Sequence, residues 1–333
     1  MKAAVYTEYG PPEVLKIAEV KTPSPRDNEI LVKVRASSVN YGDLTARDVP
    51  RLTPAKFNMP TPMWPLVRLA FGVFRPRLRI LGNEYAGVVE QVGAGVTQYR
   101  PGDEVFGYLG MGMGAYAEYL CVKETACVAP KPSAMTFEEA AVTPYGAMMA
   151  HALLSKVNLR PGQRILVKGA SGGIGSAAVQ LAKFHFGAEV TGVCGTPRMN
   201  FVKSLGASEV IDYTEEDFTR RAGTYDVIFD ILGRSSFSRC RRCLKPDGRY
   251  LPASFKTRRV LQMLWTGLFG RKKVVCAFAS DSAADLARVR EMVEAGTIRA
   301  IVDKVFPLTD VAAAHRYVEE GHRKGPVAVS VAT

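Results

Sequence analysis

Along the first third of the chain, apolar and polar residues alternate in short runs: KAAVYTEY, EILVKVRASSVN, YAGVVEQVG and GVTQYRPGDEVFGYL. Glycine and proline interrupt them about every eight to twelve residues, a pattern that predicts short antiparallel strands closing into a small barrel or sandwich. From about Phe137 the period changes. EEAAVTPYGAMMAHALLSKV has helical spacing. Strand-like and helix-like stretches then alternate: RILVKGA, GGIGSAAVQLAKFHF (a helix running to Phe186), AEVTGV, PRMNFVKSLG, EVIDY, YDVIFDILG, SSFSRCRRCL and GRYLPAS. This alternation predicts a parallel sheet with crossover helices on both faces, and KKVVCAFAS completes six strands. The tail adds the helix AADLARVREMVEAG, the strand IVDKVFPL, the helix DVAAAHRYVEEG and a last strand, PVAVSVAT.

The length of 333 residues is about twice that of a usual domain and predicts two of them. An apolar content of 47% with 23% charged residues excludes disordered, collagen-like and disulfide-scaffold classes. No apolar run approaches the roughly 18 residues of a membrane span, and Glu8 interrupts the start where a signal peptide needs its apolar core. The expected address is cytoplasmic. Cys121, Cys127, Cys194, Cys240, Cys243 and Cys276 are too sparse for a disulfide framework and are expected as thiols. The net charge of +12 is concentrated in two arginine-rich stretches, from Arg47 to Arg79 and from Arg220 to Arg259. Such an excess suits nucleic acid, an anionic membrane surface or a polyanionic cofactor. With no nucleic-acid recognition motif beside it, the excess reads as a basic surface around one phosphate pocket.

That pocket has a candidate in the run GASGGIG, Gly169 to Gly175, which follows the strand RILVK and opens a helix. Gly172 and Gly173 let main chain approach a pyrophosphate, and Gly175 lets the helix lie close on the sheet. Ser171 and Ile174 complete the turn, and the helix start offers unpaired N–H groups to the anion. NAD-binding turns place a carboxylate at the end of the second strand, but here that strand runs into Cys194-Gly195-Thr196-Pro197-Arg198. A hydroxyl and a guanidinium suit a 2′-phosphate, which a carboxylate would repel, so NADPH is the expected cofactor.

Taken together, MKAAVYTEYGPPEVLKI, SSVNYGDL, AGVVEQVGAGVTQYRPGDEVFG, GAYAEYL, GASGGIG and LKPDGRY resemble the medium-chain dehydrogenase/reductase superfamily, in its zinc-free NADPH quinone oxidoreductase and enone reductase branch. The resemblance covers essentially the whole chain. It implies a GroES-like β-rich catalytic domain built from residues 1–126 and 281–333, around a six-stranded Rossmann NADP(H)-binding domain of residues 127–280. It also implies a nicotinamide in the cleft between them, a homodimer, and Tyr213 near the adenosine phosphate. The zinc branch's first cysteine position carries Asn40, its Gly-His-Glu motif appears as Gly82-Asn83-Glu84, and no cysteine lies near Thr143 to Gly146. Amide oxygens are poor zinc donors, so no metal is expected. Cys240 and Cys243 form a lone CxxC in a helical stretch and read as buried apolar positions.

Without a metal to stabilise an alkoxide, conjugate reduction becomes the expected chemistry: hydride goes to a quinone or an α,β-unsaturated carbonyl, whose enolate oxygen needs only hydrogen-bond donors. Asn40 and Tyr41 lie in the resembling segment as candidate donors, with Asp43 orienting them. A zinc-free alcohol or carbonyl oxidoreductase and a non-catalytic NADPH sensor are the alternatives. None of the histidines, at 151, 185, 315 and 322, is assigned to catalysis. Two apolar segments flanked by arginines, Met63–Phe74 and Val260–Phe269, hold both tryptophans, Trp64 and Trp265. They are expected to form an adaptable lid over a bulky apolar substrate. A dimer contact or core packing competes with that reading, and membrane-surface docking stands behind both.

Overall fold

The computed structural model describes residues 1–53, 60–254, 256–277, 281–321 and 323–331. Chain order begins with β1 (Lys2–Val5), β2 (Lys16–Glu19), β3 (Glu29–Val39), α1 (Tyr41–Arg47), α2 (Trp64–Phe71), β4 (Glu84–Val92), β5 (Glu104–Tyr108), β6 (Tyr119–Lys123) and β7 (Val128–Pro130). The middle comprises α3 (Phe137–Ala141), α4 (Pro144–Lys156), β8 (Arg164–Lys168), α5 (Gly173–Gln180), β9 (Glu189–Cys194), α6 (Met199–Ser204), β10 (Glu209–Asp212), β11 (Tyr225–Asp230), α7 (Phe237–Cys240), β12 (Leu244–Pro252), α8 (Thr257–Phe269) and β13 (Lys273–Val274). The chain closes with α9 (Ala283–Glu294), β14 (Lys304–Pro307), α10 (Val311–Glu320) and β15 (Val327–Ser330).

Among the described residues, β8 to β13 form one parallel sheet in the order β10-β9-β8-β11-β12-β13. The order reverses between β8 and β11, and in such sheets ligands bind in the crevice at the carboxyl ends of those two strands. A second sheet runs β14-β15-β3-β4-β5-β7, with β6 also paired to β3. It draws strands from both ends of the chain because β15 lies antiparallel to β3, Val327 opposite Val39. The mixed α/β architecture expected from the alternation is the observed one.

Two local features differ from expectation. The boundary at 126/127 falls short of the antiparallel sheet's end, because Val128–Pro130 still pairs with β5. Past 281, α9 turns Leu286 and Val289 into an apolar cluster to which α4, β8 and residues Cys127 and Ala129 all contribute. The helix expected to run to Phe186 is α-helical only to Gln180; the Phe186 N–H then reaches back five residues to Leu181 O at 3.0 Å. That same cluster takes in Ala36, Ala86 and Phe106 of the antiparallel sheet, so the two lobes share one core.

Candidate functional site

The turn after β8 begins with Gly169 at φ +86°, a left-handed conformation that glycine adopts freely. At Gly175 the constraint is distance. A Cβ there would sit 2.0 Å from Gly169 O and 2.8 Å from the Ala170 carbonyl carbon. Only glycine lets α5 start this close to β8. Positions Gly172 and Gly173 are open instead: the nearest atoms to a Cβ are Gly169 O at 3.8 Å and Pro326 Cγ at 3.9 Å respectively. Ser171 is buried, Ile174 packs against the shared core, and the first N–H groups of α5 have no intrahelical partner. The turn therefore presents a cradle of main-chain donors with space over it, as a pyrophosphate requires.

Beyond β9 three predicted residues converge. The place a Cβ would take on Gly195 lies 2.9 Å from Arg198 Nη2 and 3.4 Å from the Tyr213 hydroxyl. Arg198 Nη1 donates to Gly321 O, while its Nε is buried without a partner. A phosphoryl group at Gly195 would meet both the guanidinium and the phenol. The Thr196 hydroxyl donates to the carboxylate of Asp212 and so braces the turn. Asp212 also accepts from Thr214 N at 2.9 Å and Thr214 Oγ1 at 2.7 Å. The Thr196 bond first, and then those from Thr214, hold its pKa below the usual carboxylate range.

At the other end of the crevice Asn40 caps α1: its Oδ1 accepts from Gly42 N at 2.8 Å, and its own N–H donates to Asp43 at 3.0 Å. Its Nδ2 donates to Asn83 Oδ1 and, at 3.1 Å, to Glu84 Oε2. Both amide hydrogens are thus committed, and Asn40 positions its neighbours without a donor to spare for substrate. Tyr41, next to it, is half exposed. Asp43 is fully buried and accepts from Gly82 N at 3.0 Å; burial pushes its pKa up to about 7 against the lowering effect of its main-chain donors.

Glu84 is the residue on which this end turns. Its carboxylate takes hydrogen bonds from Ser38 Oγ, Asn40 Nδ2 and, at 2.7 Å, Tyr145 N, while burial raises its pKa. Asn40, Asn83 and the Thr143–Gly146 segment, the three positions a zinc site would use, therefore do come together. They close on one another through amide hydrogens pointing at a carboxylate, which leaves no set of N and S donors for zinc. Among the described residues no group of three or more His, Cys, Asp or Glu could hold a metal. Tyr145 also ties the two ends together, since a Cβ on its neighbour Gly146 would lie 2.8 Å from Gly173 O in the phosphate turn.

The far side of α1 is anchored by a buried chain of contacts. Arg47 donates to His315 Nδ1 at 2.8 Å, pairs with Glu319, and reaches Gly10 O at 3.0 Å; His315 Nε2 lies 3.1 Å from the Tyr116 hydroxyl. Burial and Arg47 hold His315 well below its ordinary pKa, so it is a neutral strut between α1 and α10. His151 and His185 face each other on the α4–α5 side, and His322 lies outside the described residues. Cys240 and Cys243 are buried, and burial pushes the Cys240 thiol up to about 12, out of reach of redox or metal chemistry near neutral pH. Trp64 donates to Leu52 O at 2.9 Å under the Arg68 guanidinium, while Trp265 is largely exposed, its ring tilted against that of Phe269 at 5.0 Å. The two tryptophan segments adjoin, Thr61 N donating to Thr257 Oγ1 at 3.1 Å.

Glu84, Tyr145, Arg47 and Asp212 were not singled out by sequence reasoning. Glu84 carried a signal, standing next to the displaced histidine position; the other three act through partners distant along the chain.

Comparison with known proteins adds to this geometry. Residues 26–133 match the alcohol dehydrogenase GroES-like domain and residues 205–329 the zinc-binding dehydrogenase family. The chain is 32% identical to the mitochondrial NAD(P)H oxidoreductase RTN4IP1 of Mus musculus, over 99% of this chain and 89% of that protein. It is 30% identical to the chloroplastic NADPH-dependent alkenal/one oxidoreductase of Arabidopsis thaliana, over 99% and 79%. Among solved structures, the quinone oxidoreductase of Coxiella burnetii superimposes with a TM-score of 0.84 at 27% identity, covering 100% of this chain and 99% of that one.

Proposed function

Because the chain belongs to the medium-chain dehydrogenase/reductase superfamily, in its quinone oxidoreductase and enone reductase branch, we propose that it reduces quinones or α,β-unsaturated carbonyls with NADPH and without a metal. The observation that carries this reading is the Asn40–Asn83–Glu84 network, which fills the positions of a zinc site directly beside the nucleotide turn. The zinc that stabilises an alkoxide in the metal-dependent branch has no ligand set here, which favours conjugate reduction over carbonyl-to-alcohol chemistry.

The residues fit NADPH: Gly172, Gly173 and the start of α5 would hold the pyrophosphate, Arg198 and Tyr213 the 2′-phosphate. Bound there, the cofactor supplies a hydride equivalent to the conjugated system. The protein's own part is to stabilise the charge that collects on the acceptor oxygen. Tyr41, its ring at the open start of α1, is the donor for that oxygen. Asn40 and Asp43 fix the turn that aims it, and the Arg47–His315–Glu319 contacts keep α1 from shifting. Trp64 is the wall residue on the substrate side and Trp265 its neighbour across the Thr61–Thr257 contact. Six free thiols suit a reducing compartment, which we take to be the cytosol, and a homodimer is the assembly that the family likeness implies.

The test follows NADPH and NADH absorbance with a panel of quinones, enones and aldehydes, alongside metal analysis of the purified protein. Turnover of enones or quinones with NADPH and no bound zinc is expected. Stoichiometric zinc with alcohol turnover, or tight NADPH binding without any turnover, would overturn it.

A further inference from the structure

The face that α8 turns to solvent is its apolar one. Leu261, Leu264, Trp265, Leu268 and Phe269 recur at i, i+3, i+4, i+7 and i+8 and are 57% to 78% exposed. Arg259 and Thr266 face the body instead, the guanidinium 5.3 Å over the Tyr250 ring and the hydroxyl accepting from Val274 N at 3.0 Å. A helix packed on a core turns its apolar stripe inward; here the orientation is reversed. Beside it α2 and its following turn expose Leu66, Leu69, Val73 and Phe74, the last at 92%. Thr61 N, just ahead of α2, is bonded to Thr257 Oγ1 at the start of α8, so the two helices begin side by side.

The two segments that carry this surface hold charge of one sign. Residues 49–83 contain six Lys or Arg and no Asp or Glu, and residues 248–280 contain seven and none. These thirteen cations exceed the net charge of the whole chain, +12. Arg75, Arg77, Arg79, Arg258 and Lys273 are exposed, whereas Arg271 is met by Asp247 at 3.2 Å. A groove of about 660 Å³ runs between α7 and α8, lined by Phe237, Leu261 and Trp265 together with Arg241 and Arg258, an apolar trough with cations beside it.

We propose that α2 and α8 dock this protein peripherally on an anionic lipid bilayer. Leucine and aromatic side chains would enter the headgroup–acyl boundary, and the arginines would meet lipid phosphates. No helix among the described residues is long and apolar enough to cross a membrane, so the contact is one of lying on the surface. A second copy of the chain is the rival occupant. A symmetric dimer sets a patch against itself, and here that brings arginine to arginine with no carboxylate from either segment between them. Lipid phosphates supply the opposite charge. The proposal does not rest on the reductase reading: Trp64 and Trp265 lie on these helices, but neither the nucleotide turn nor the residues around Asn40 enter it.

The test is co-sedimentation of the full-length protein with vesicles of phosphatidylcholine alone or with about one-third phosphatidylserine, the basic-patch attraction being screened by salt. Partitioning should be at least tenfold stronger on the phosphatidylserine vesicles and fall steeply when ionic strength is raised. A Leu264→Glu/Leu268→Glu variant and an Arg75→Glu/Arg77→Glu variant should each lose about tenfold or more in partitioning while unfolding at the temperature of the parent, because all four side chains lie at the surface. Equal binding to neutral vesicles, no vesicle binding, or a dimer in solution that the Leu264→Glu/Leu268→Glu variant dissociates would overturn the proposal.

Discussion

Replacing Arg198 by alanine should separate the two nicotinamide dinucleotides. The side chain has one N–H, at Nε, buried with no partner, and its Nη2 lies 2.9 Å from the position a Cβ would take on Gly195. A 2′-phosphate seated at Gly195 can accept from both, the fork geometry that guanidinium offers to phosphate. Each charge-assisted bond contributes roughly 1.5 to 3 kcal/mol, and discounting the sum for partial exposure leaves about 3 kcal/mol. At 1.4 kcal/mol per decade, Arg198→Ala should raise the Kd for NADPH by roughly 150-fold. NADH has no 2′-phosphate, and its Kd should change by less than about threefold. Calorimetric titration of both dinucleotides at fixed ionic strength measures this directly, with Arg198→Lys as an intermediate that keeps the charge and loses the fork. Because Arg198 also donates to Gly321 O, a thermal melt of each variant is the control. Equal weakening of NADPH and NADH would refute the assignment and leave Arg198 as a structural clasp on the end of α10.

Three other outcomes follow from the same geometry. Gly175→Ala forces a Cβ to within 2.0 Å of a main-chain oxygen, an overpacking that costs about 1 to 3 kcal/mol. It should lower Tm by several degrees and weaken NADPH about tenfold, and a parental melt with parental affinity would contradict it. Tyr41→Phe should reduce kcat by roughly 10- to 100-fold with little change in KM, as expected for a donor used in the transition state; a change in KM alone would contradict it. Asp43 has a folded-state pKa raised by burial to about 7, above an unfolded value near 4, so its protonated form stabilises the fold. That contribution, on the order of 4 kcal/mol, is fully present below about pH 4 and is lost as pH rises through 7. Urea unfolding should therefore show the parent losing stability as pH rises from about 4 to 7, while Asp43→Asn, which has no carboxyl to ionise, lacks that loss; parallel pH profiles for the two would contradict it.

What could be read from the sequence was local. The strand, the glycine turn and the helix from Arg164 to Gln180 are consecutive, and the alternation of β8 to β13 with helices carries its own period. Tyr213 was reachable through family likeness, and Gly175 through its place in the turn. The contacts that complete the site lie between distant residues: Glu84 with Tyr145, Thr196 with Asp212, Arg47 with His315 and Glu319. No periodicity reports such pairings, which is why the brace between Thr196 and Asp212 was not legible and Asn40 read as a substrate donor when its amide is spent on Asn83 and Glu84. The end of the antiparallel sheet at Pro130 was hidden for the same reason, since β7 is recognisable only by its pairing with β5. For α8 the pattern was legible and its direction was not. An amphipathic stripe looks the same whether it faces a core or solvent, and only the exposure of Leu268 and Phe269 distinguishes them.

The most direct measurement is the fate of a labelled hydride. Incubating the protein with NADPH carrying deuterium at the transferable position of the nicotinamide, and with a simple enone, should give a saturated ketone bearing one deuterium at the β-carbon with the carbonyl intact. Deuterium on the carbonyl carbon of an allylic alcohol would contradict metal-free conjugate reduction at the Asn40–Tyr41 end of the crevice.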